Sequence, residues 1–352
     1  MNALHIAWLG DKNFGDDLMA QAIRDAFLAR HPDTTFLTWC EKRPAHRLGV
    51  KWIYPFQLPR GVGNRFWEQR ALQKADILIV GGGSVLHSAR SSNWKRQAVE
   101  GFKRMHPRGK AVGIGLSIGP FTSSVDEAAC ISFLKSLDAC ALREKESFDF
   151  AQTQQLPYAP IKAFDLCASY LQHHGFSAKQ QTEKISCVGV SVRLPHKTDV
   201  ARTTKKYVQL LKELSETFPR IKLFSFSNDS TQYEANYCKN LIAEAGSKNI
   251  ELVTYANNID DFLSAIRSVD FFITTKLHGL LLSFLLNIPC GSISYQKKFD
   301  DFCADLHIPQ HLQWTQENFD PTTAVNSVAP YMYIDQRPFF EEANNSFRVF
   351  DI

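Results

Sequence analysis

The sequence predicts an α/β protein made of two Rossmann-like domains facing a cleft, each built on a mainly parallel sheet. Short β-favouring runs alternate with amphipathic helical stretches, as in parallel sheets joined by crossover helices. The alternation occurs twice, on either side of a polar stretch without clear pattern from His173 to Glu183. The 352 residues, 44% hydrophobic and 22% charged, are enough for two cores and ordinary for a globular protein. The expected division is 1–175 for the first domain, 184–325 for the second, and 326–352 for a tail packing back on the first.

In the first half, Leu4–Leu9 reads as a strand running into a turn rich in Gly, Asn and Asp, Gly10–Asp17. A helix follows to Arg30, with Leu18, Ala22, Ala26 and Leu28 on its apolar face and Asp16 or Asp17 as a natural N-cap. Asn13, Gly15 and Asp16 fall at the sheet edge where ligands of open α/β sheets bind. Thr35–Trp39 reads as a strand and Phe66–Lys74 as a helix. The buried strand Ala75–Val80 ends in Gly81, Gly82, Gly83 and Ser84, a turn whose backbone can approach an anion closely or simply turn tightly. It is neither a Walker motif nor a G-x-G-x-x-G fingerprint. The strand Ala111–Ser117 carries Gly113 and Gly115, which suits close approach of backbone or ligand. A helix over Val125–Leu137, the strand Ala139–Leu142 and a helix over Glu144–Ala151 come next. Arg143 sits in the turn between the last two, able to grip a carboxylate or phosphate or to pair with Glu144 or Glu146. Asp165 closes a further short strand.

In the second half, a strand over Ile185–Val192 ends at Arg193. Helices over Tyr207–Thr217, Tyr233–Ala245 and Ile259–Ser268 alternate with strands over Ile221–Phe226 and Ile250–Val253. The stretch from Asp270 to Phe299 organises this half. Phe271–Thr274 is a buried strand, Thr274 and Thr275 offer cap chemistry, Gly279 opens an apolar helix ending before Pro289, and Cys290–Tyr295 resumes as a strand. Lys276 and His278 therefore fall between strand and helix, where backbone N–H groups and the helix dipole favour an anion. A histidine there also serves as a cap or a plain surface residue. Lys297 and Lys298 at the next turn weigh for a ligand.

Composition excludes several classes. A net charge of +4 from scattered Lys and Arg suits a local basic pocket and gives no nucleic-acid footprint. Cys40, Cys130, Cys140, Cys167, Cys187, Cys238, Cys290 and Cys303 form no C-x-x-C pair and read as buried thiols of a reducing compartment. No signal-peptide pattern opens the sequence, and its longest apolar run is far below the roughly 20 residues of a membrane span. A cytoplasmic protein without a metal or other cofactor is expected.

Several motifs, taken in order, carry a resemblance. They are Asn13-x-Gly15-Asp16, Gly81-Gly82-Gly83-Ser84, Gly113-x-Gly115 with Gly119-Pro120, and Leu142-Arg143 followed by Ser147. Further on come Asp165, Ser191-x-Arg193, and Leu277-His278-Gly279 with Tyr295 and Lys298. Together they resemble the polysaccharide pyruvyl transferase family over most of the chain. Where that family commonly has Arg before Leu-His-Gly this chain has Lys276, keeping charge but losing the planar fork. Where it often has Asp-Pro before the final lysine, this chain has Gln296-Lys297; register favours Lys298 over Lys297 as the residue facing the cleft.

The resemblance implies a fold like that of GT-B glycosyltransferases. It also implies transfer of pyruvate from phosphoenolpyruvate, the donor substrate, to two hydroxyls of a sugar in a surface or exopolysaccharide precursor, giving a cyclic ketal and phosphate. Phosphoenolpyruvate needs cations and N–H donors, for which Arg143, Lys276, Lys298, Gly82, Gly83, Ser84 and the helix start at Gly279 are candidates. His278 is the candidate acid for protonating C3. Asp16 or Asp165 would take the sugar proton, and Asn13, Gly15 and Arg193 complete the expected binding residues. A lipid-linked oligosaccharide acceptor would bring peripheral contact with the inner membrane face. Two other readings stand beside this one: a GT-B-like glycosyltransferase using a nucleotide sugar, and a non-catalytic sugar- or phosphate-binding protein.

Overall fold

The computed structural model describes residues 1–7, 9, 13–39, 51–53, 69–83, 85–194, 199–227, 233–295 and 297–351, with the side chains of 51–53, 85 and 298 outside that description. The chain forms two compact units. The first comprises Met1–Asp11, Gly15–His173 and Arg337–Ile352, and the second Lys12–Phe14 and His174–Gln336.

The first unit runs β1 (Asn2–Ile6), α1 (Phe14–Arg30), β2 (Thr35–Trp39), β3 (Lys51–Ile53), a helix α2 at 69–74, and β4 (Ile77–Gly81). It continues through β5 (Val85–Leu86), α3 (Ala89–Met105), β6 (Lys110–Ile118), α4 (Ser124–Ser136), β7 (Ala139–Leu142), α5 (Lys145–Gln152), β8 (Ile161–Lys162) and α6 (Leu166–His173). The sheet order is β3-β2-β1-β4-β6-β7-β8, all parallel, with β5 pairing β6 off this path. Every residue of β7 is buried, so both faces of the sheet are covered there. One core cluster joins Leu78 and Val80 of β4, Val99 and Phe102 of α3, Phe133 and Leu134 of α4, and Leu142 of β7.

The short strand expected to close at Asp165 ends at Lys162 instead, and three helices of this unit also differ from the sequence expectation. Helix α1 starts at Phe14, so Asp16 and Asp17 lie inside its first turn, where the dipole favours them, and not at its N-cap. Helix α3 has no counterpart in the expected elements. It is strongly polar, yet Ser92, Lys95, Ala98, Val99 and Phe102 make one buried face at helical spacing, and Ser88 caps it by accepting from Ser91 N–H. Helix α6 likewise has no counterpart in the expected elements; its first six residues, Leu166–Leu171, are all buried.

The second unit runs β9 (Cys187–Ser191), α7 (Val200–Thr217), β10 (Arg220–Ser225), α8 (Tyr233–Ala245), β11 (Ile250–Thr254), α9 (Ile259–Arg267), β12 (Phe271–Thr274) and α10 (Leu277–Leu285). It closes with β13 (Cys290–Ser294), α11 (Lys297–Asp305), β14 (Gln313–Thr315) and α12 (Pro321–Asn326). The order is β11-β10-β9-β12-β13-β14, again all parallel. Renumbered within the unit this is 3-2-1-4-5-6, the order of the doubly wound dinucleotide-binding fold. The switch point, where chain direction across the sheet reverses, lies between β9 and β12. Strands β9, β12 and β13 are buried at every position. Phe14 is also a residue of this unit, fully buried with its ring 4.7 Å from Phe262 and 5.3 Å from Tyr255.

The tail helix α13 (Arg337–Asn345) belongs to the first unit. There Glu342 pairs with Lys162 at 2.9 Å, and Phe339 packs edge-on against Phe164. Cys130, Cys140, Cys167, Cys187, Cys238, Cys290 and Cys303 are buried and free, while Cys40 lies outside the described residues. Among the described residues no helix is long and apolar enough to cross a membrane.

Candidate functional site

In the second unit the candidate site is built at the switch point, at the carboxyl ends of β9 and β12. Ser191 closes β9 and Thr274 closes β12, and their hydroxyls meet at 2.7 Å. The Thr274 Oγ1 also accepts from Lys276 N–H at 2.9 Å, tying the strand end to the helix start. Thr275 N–H donates to the Ser191 carbonyl at 3.1 Å, which continues the sheet by one more bond. Lys276 is the N-cap of α10 and has no side-chain capping bond. His278 is therefore inside the first helical turn and half-buried, one step beyond the turn that the sequence suggested. Gly279 packs against this knot: a Cβ there would lie 2.3 Å from Thr274 Oγ1.

Lys276 does not stand alone. Its ammonium forms an ion pair with buried Glu234 of α8. The other oxygen of that carboxylate accepts from Phe226 N–H at 2.7 Å and Ser227 N–H at 3.3 Å. Glu234 thus fixes Lys276 while satisfying the backbone beyond β10, and it offsets the lysine's charge. Nothing in the sequence pairs residues 42 positions apart, and Glu234 reads there as an ordinary helix-start acid. Asn13, also of this unit, forms an isolated antiparallel bridge to Ser227, so it borders the same backbone.

Arg193, just past β9, is exposed, and its guanidinium carbon stacks 3.9 Å over the Tyr295 ring beyond β13. This is cation–π geometry, which holds both groups in place. Lys297 opens α11 and is exposed. Lys298 follows it in the helix; its side chain lies outside the described residues.

In the first unit the expected residues gather around a buried guanidinium. Arg143 is 4% exposed and donates to Asp165 Oδ2 at 2.9 Å, with Glu144 Oε2 3.4 Å from its Nε. Burial alone would lower the arginine's pKa, but the carboxylates of Asp165, Glu144 and Asp16 outweigh it and hold the group charged. Asp165 is fully buried and accepts from Cys167 N–H at 3.0 Å. Glu144 caps the network by accepting from the hydroxyls of Ser117 and Ser147, and Ser147 in turn accepts from Ile118 N–H at 2.7 Å. A buried charge so enclosed is costly to break, because removing one partner strands the others.

The glycine turn after β4 belongs to the same neighbourhood. Gly83 has φ +86°, and a Cβ there would lie 2.0 Å from Asp16 Oδ1. The turn therefore closes on the first turn of α1, which contains Gly15 and Asp16. Gly82, with φ +72°, packs over Ala20 of the same helix. Ser84 lies outside the described residues. The structure thus joins Asp16, Gly83, Arg143 and Asp165 in one unit, and Lys276, His278 and Gly279 in the other.

Two parallel sheets wound in this order, with charged groups at the carboxyl edges of their strands, define a GT-B-like protein of two Rossmann-like domains. The family model described as "Polysaccharide pyruvyl transferase" matches residues 13–297, and the chain belongs to that family. No curated protein matches the sequence. Among solved structures, the UDP-GlcNAc 2-epimerase from Methanocaldococcus jannaschii is similar with a TM-score of 0.66 at 9% identity, covering 100% of this chain and 99% of that one. A putative UDP-N-acetylglucosamine 2-epimerase from Listeria monocytogenes gives 0.61 at 9% identity, covering 99% and 94%. The corresponding enzyme from Rickettsia bellii gives 0.57 at 9% identity, covering 99% and 95%. Identity this low makes the likeness one of fold alone.

Proposed function

We propose that the chain transfers pyruvate from phosphoenolpyruvate to two hydroxyls of a sugar in a polysaccharide precursor, forming a cyclic ketal and releasing phosphate. Membership of the pyruvyl transferase family supports the reaction class. The observation that carries the chemical reading is the start of α10, where a half-buried imidazole follows a fixed lysine at the switch point of a doubly wound sheet.

In this reading His278 delivers a proton to C3 of the donor as the first sugar hydroxyl adds to C2. That hydroxyl's proton returns to His278 and so restores the acid. The C2–O bond to phosphate then breaks, the second hydroxyl closes the ketal at C2, and its proton leaves with the phosphate. Imidazole suits the first step because it exchanges protons near neutral pH. The N–H groups at the α10 start, with Lys276 and Lys298, would stabilise phosphate as its charge develops. Because Glu234 already neutralises Lys276, the helix start and Lys298 carry more of this task.

The experiment is a thermal-shift titration with phosphoenolpyruvate, paired with an assay of phosphate release in the presence of sugar acceptors. A ligand that binds only the folded state raises its melting temperature. A concentration-dependent rise in wild type is expected, with His278→Ala keeping that rise and losing phosphate release by about 100-fold or more, the usual scale for a general acid. Full release in a folded His278→Ala variant would remove its role. A rise with nucleotide sugars and none with phosphoenolpyruvate would favour the glycosyltransferase reading. The same assays on Arg143→Ala separate reaction from fold: its removal strands Asp165 and should lower the melting temperature, and release lost from the protein that remains folded assigns Arg143 to the reaction.

A further inference from the structure

A polar pocket of ≈ 400 Å³ opens in the second unit at the carboxyl ends of β13 and β14. That volume lies within the roughly 300–1,000 Å³ typical of small-molecule sites. Ser294 and Tyr295 form one side of it. Helix α7 contributes Arg202, Thr203 and Lys206, with Asp199 at its N-cap, positions that share one helix face. Lys297 and Asp300 enter from the first turn of α11, and Thr315, Gln316 and Glu317 form the remaining wall.

That wall is held in shape before any ligand arrives. Gln316 N–H donates to the Ser294 carbonyl at 2.8 Å, and Phe319 N–H to the Thr315 carbonyl at 2.9 Å. Lys206 Nζ donates to the carbonyls of Glu317 at 3.1 Å and Phe319 at 2.6 Å. Arg193, stacked on Tyr295, braces the opposite side. A pocket shaped by its own hydrogen bonds loses little entropy on binding.

The charges decide what it takes. Among the described lining residues, Arg202, Lys206 and Lys297 face Asp199, Asp300 and Glu317, as many cations as carboxylates. A phosphate or diphosphate only accepts hydrogen bonds at its oxygens and would be repelled by the carboxylates. A sugar hydroxyl both donates and accepts, so interleaved carboxylates, ammonium groups and an amide can satisfy several hydroxyls at once. The pocket lies one and two strands from β12, up to about 10 Å at the usual inter-strand spacing. A ring held there is therefore not the ring that reacts beside His278.

We infer that this pocket is a subsite for a neutral sugar residue of the acceptor, next to the one that receives pyruvate. The inference rests on the pyruvyl transfer reading for the word acceptor, while sugar binding itself does not require that reading.

Saturation-transfer NMR on the full chain tests it, with methyl glucoside, methyl galactoside, methyl mannoside, N-acetylmannosamine, lactose and cellobiose as probes. At least one disaccharide should receive transfer more strongly than the monosaccharides. Asp300→Asn with Glu317→Gln, both exposed positions, should weaken its binding at least tenfold at an unchanged melting temperature. The single variant Gln316→Ala provides a second reading if the double variant folds poorly. Transfer to no probe, binding indifferent to these substitutions, or displacement of the sugar by sodium pyrophosphate would each overturn the proposal. The phosphoenolpyruvate titration keeps the two readings apart. A melting rise without sugar binding removes the subsite alone, and sugar binding without a rise removes the donor assignment alone.

Discussion

At the scale of single residues, the candidate turn depends on an atom that is missing. Gly279 leaves room for the Thr274 hydroxyl, which in turn receives Lys276 N–H and meets Ser191. A Cβ at 279 would stand 2.3 Å from that oxygen, inside any permitted contact, so either the helix start or the threonine must move. Gly279→Ala should destabilise the protein by about 1–3 kcal/mol, the usual cost of overpacking. Its effect on phosphate release should exceed what that stability loss explains, because it displaces the helix that carries His278. Chemical denaturation of Gly279→Ala, Thr274→Ala and the double variant measures this, and a strongly non-additive cycle is expected for groups in direct contact. The two single effects simply adding would show that the contact does not matter. The glycine was legible in the sequence as the start of an apolar run, but the helix opens two residues earlier, at Leu277. Its reason, a neighbouring hydroxyl five residues earlier, became visible only with the turn's path. The partner of Lys276 was not legible at all, since Glu234 arrives from another helix and its sequence context signals only a helix start.

At the scale of elements, the strands that enter the site are fixed at both ends. Asp270, just before β12, receives Lys179 Nζ at 2.6 Å and the N–H groups of Ser186 and Cys187 at 2.9 and 3.0 Å. One carboxylate thus aligns the starts of β9 and β12, the two strands whose far ends hold the candidate turn. Partial burial would raise its pKa, yet the lysine and the Ser186 N–H and hydroxyl together pull it below the usual aspartate value. Asp270→Asn keeps the shape but removes the charge and puts a donor against Ser186 or Cys187. A loss of about 1–3 kcal/mol is expected, on the scale of a charged hydrogen bond, and should show in urea unfolding. No change would mean that β9 and β12 are aligned by sheet bonds alone. Strands and helices with a plain apolar period were readable: β7, β12 and α8 begin and end where the sequence places them. Helices α3 and α11 were not, because their apolar faces, though at helical spacing, are narrow and set among many charges. That also hid the setting of Lys297, which opens a helix and does not sit in an open turn.

At the scale of the whole molecule, the same strand order in both sheets places the first and fourth strands of each side by side. In the first unit this arrangement buries an imidazole. His5, in the middle of β1, is fully buried, and its Nε2 lies 3.2 Å from the carbonyl of Gly81 at the end of β4. Desolvation outweighs that bond and lowers the histidine's pKa to about 4, so the ring is neutral in the folded protein at neutral pH. In the unfolded chain it would titrate at about 6.5. Between these values the unfolded state binds the extra proton, so stability is fully present above about pH 6.5 and falls as pH drops towards 4. The shift corresponds to roughly 3 kcal/mol at its limit. Asp270 acts in a separate, lower window, because its depressed pKa contributes stability that is lost only below the ordinary aspartate value of 3.8. Melting curves from pH 7 to pH 2 should therefore show a decline that begins near pH 6.5, well before the carboxylates protonate. His5→Gln, which cannot gain a charge, should flatten that early decline and leave the later acid loss in place. An unchanged profile in the variant would show that another group titrates there and that the buried imidazole does not govern the fold's response to acid.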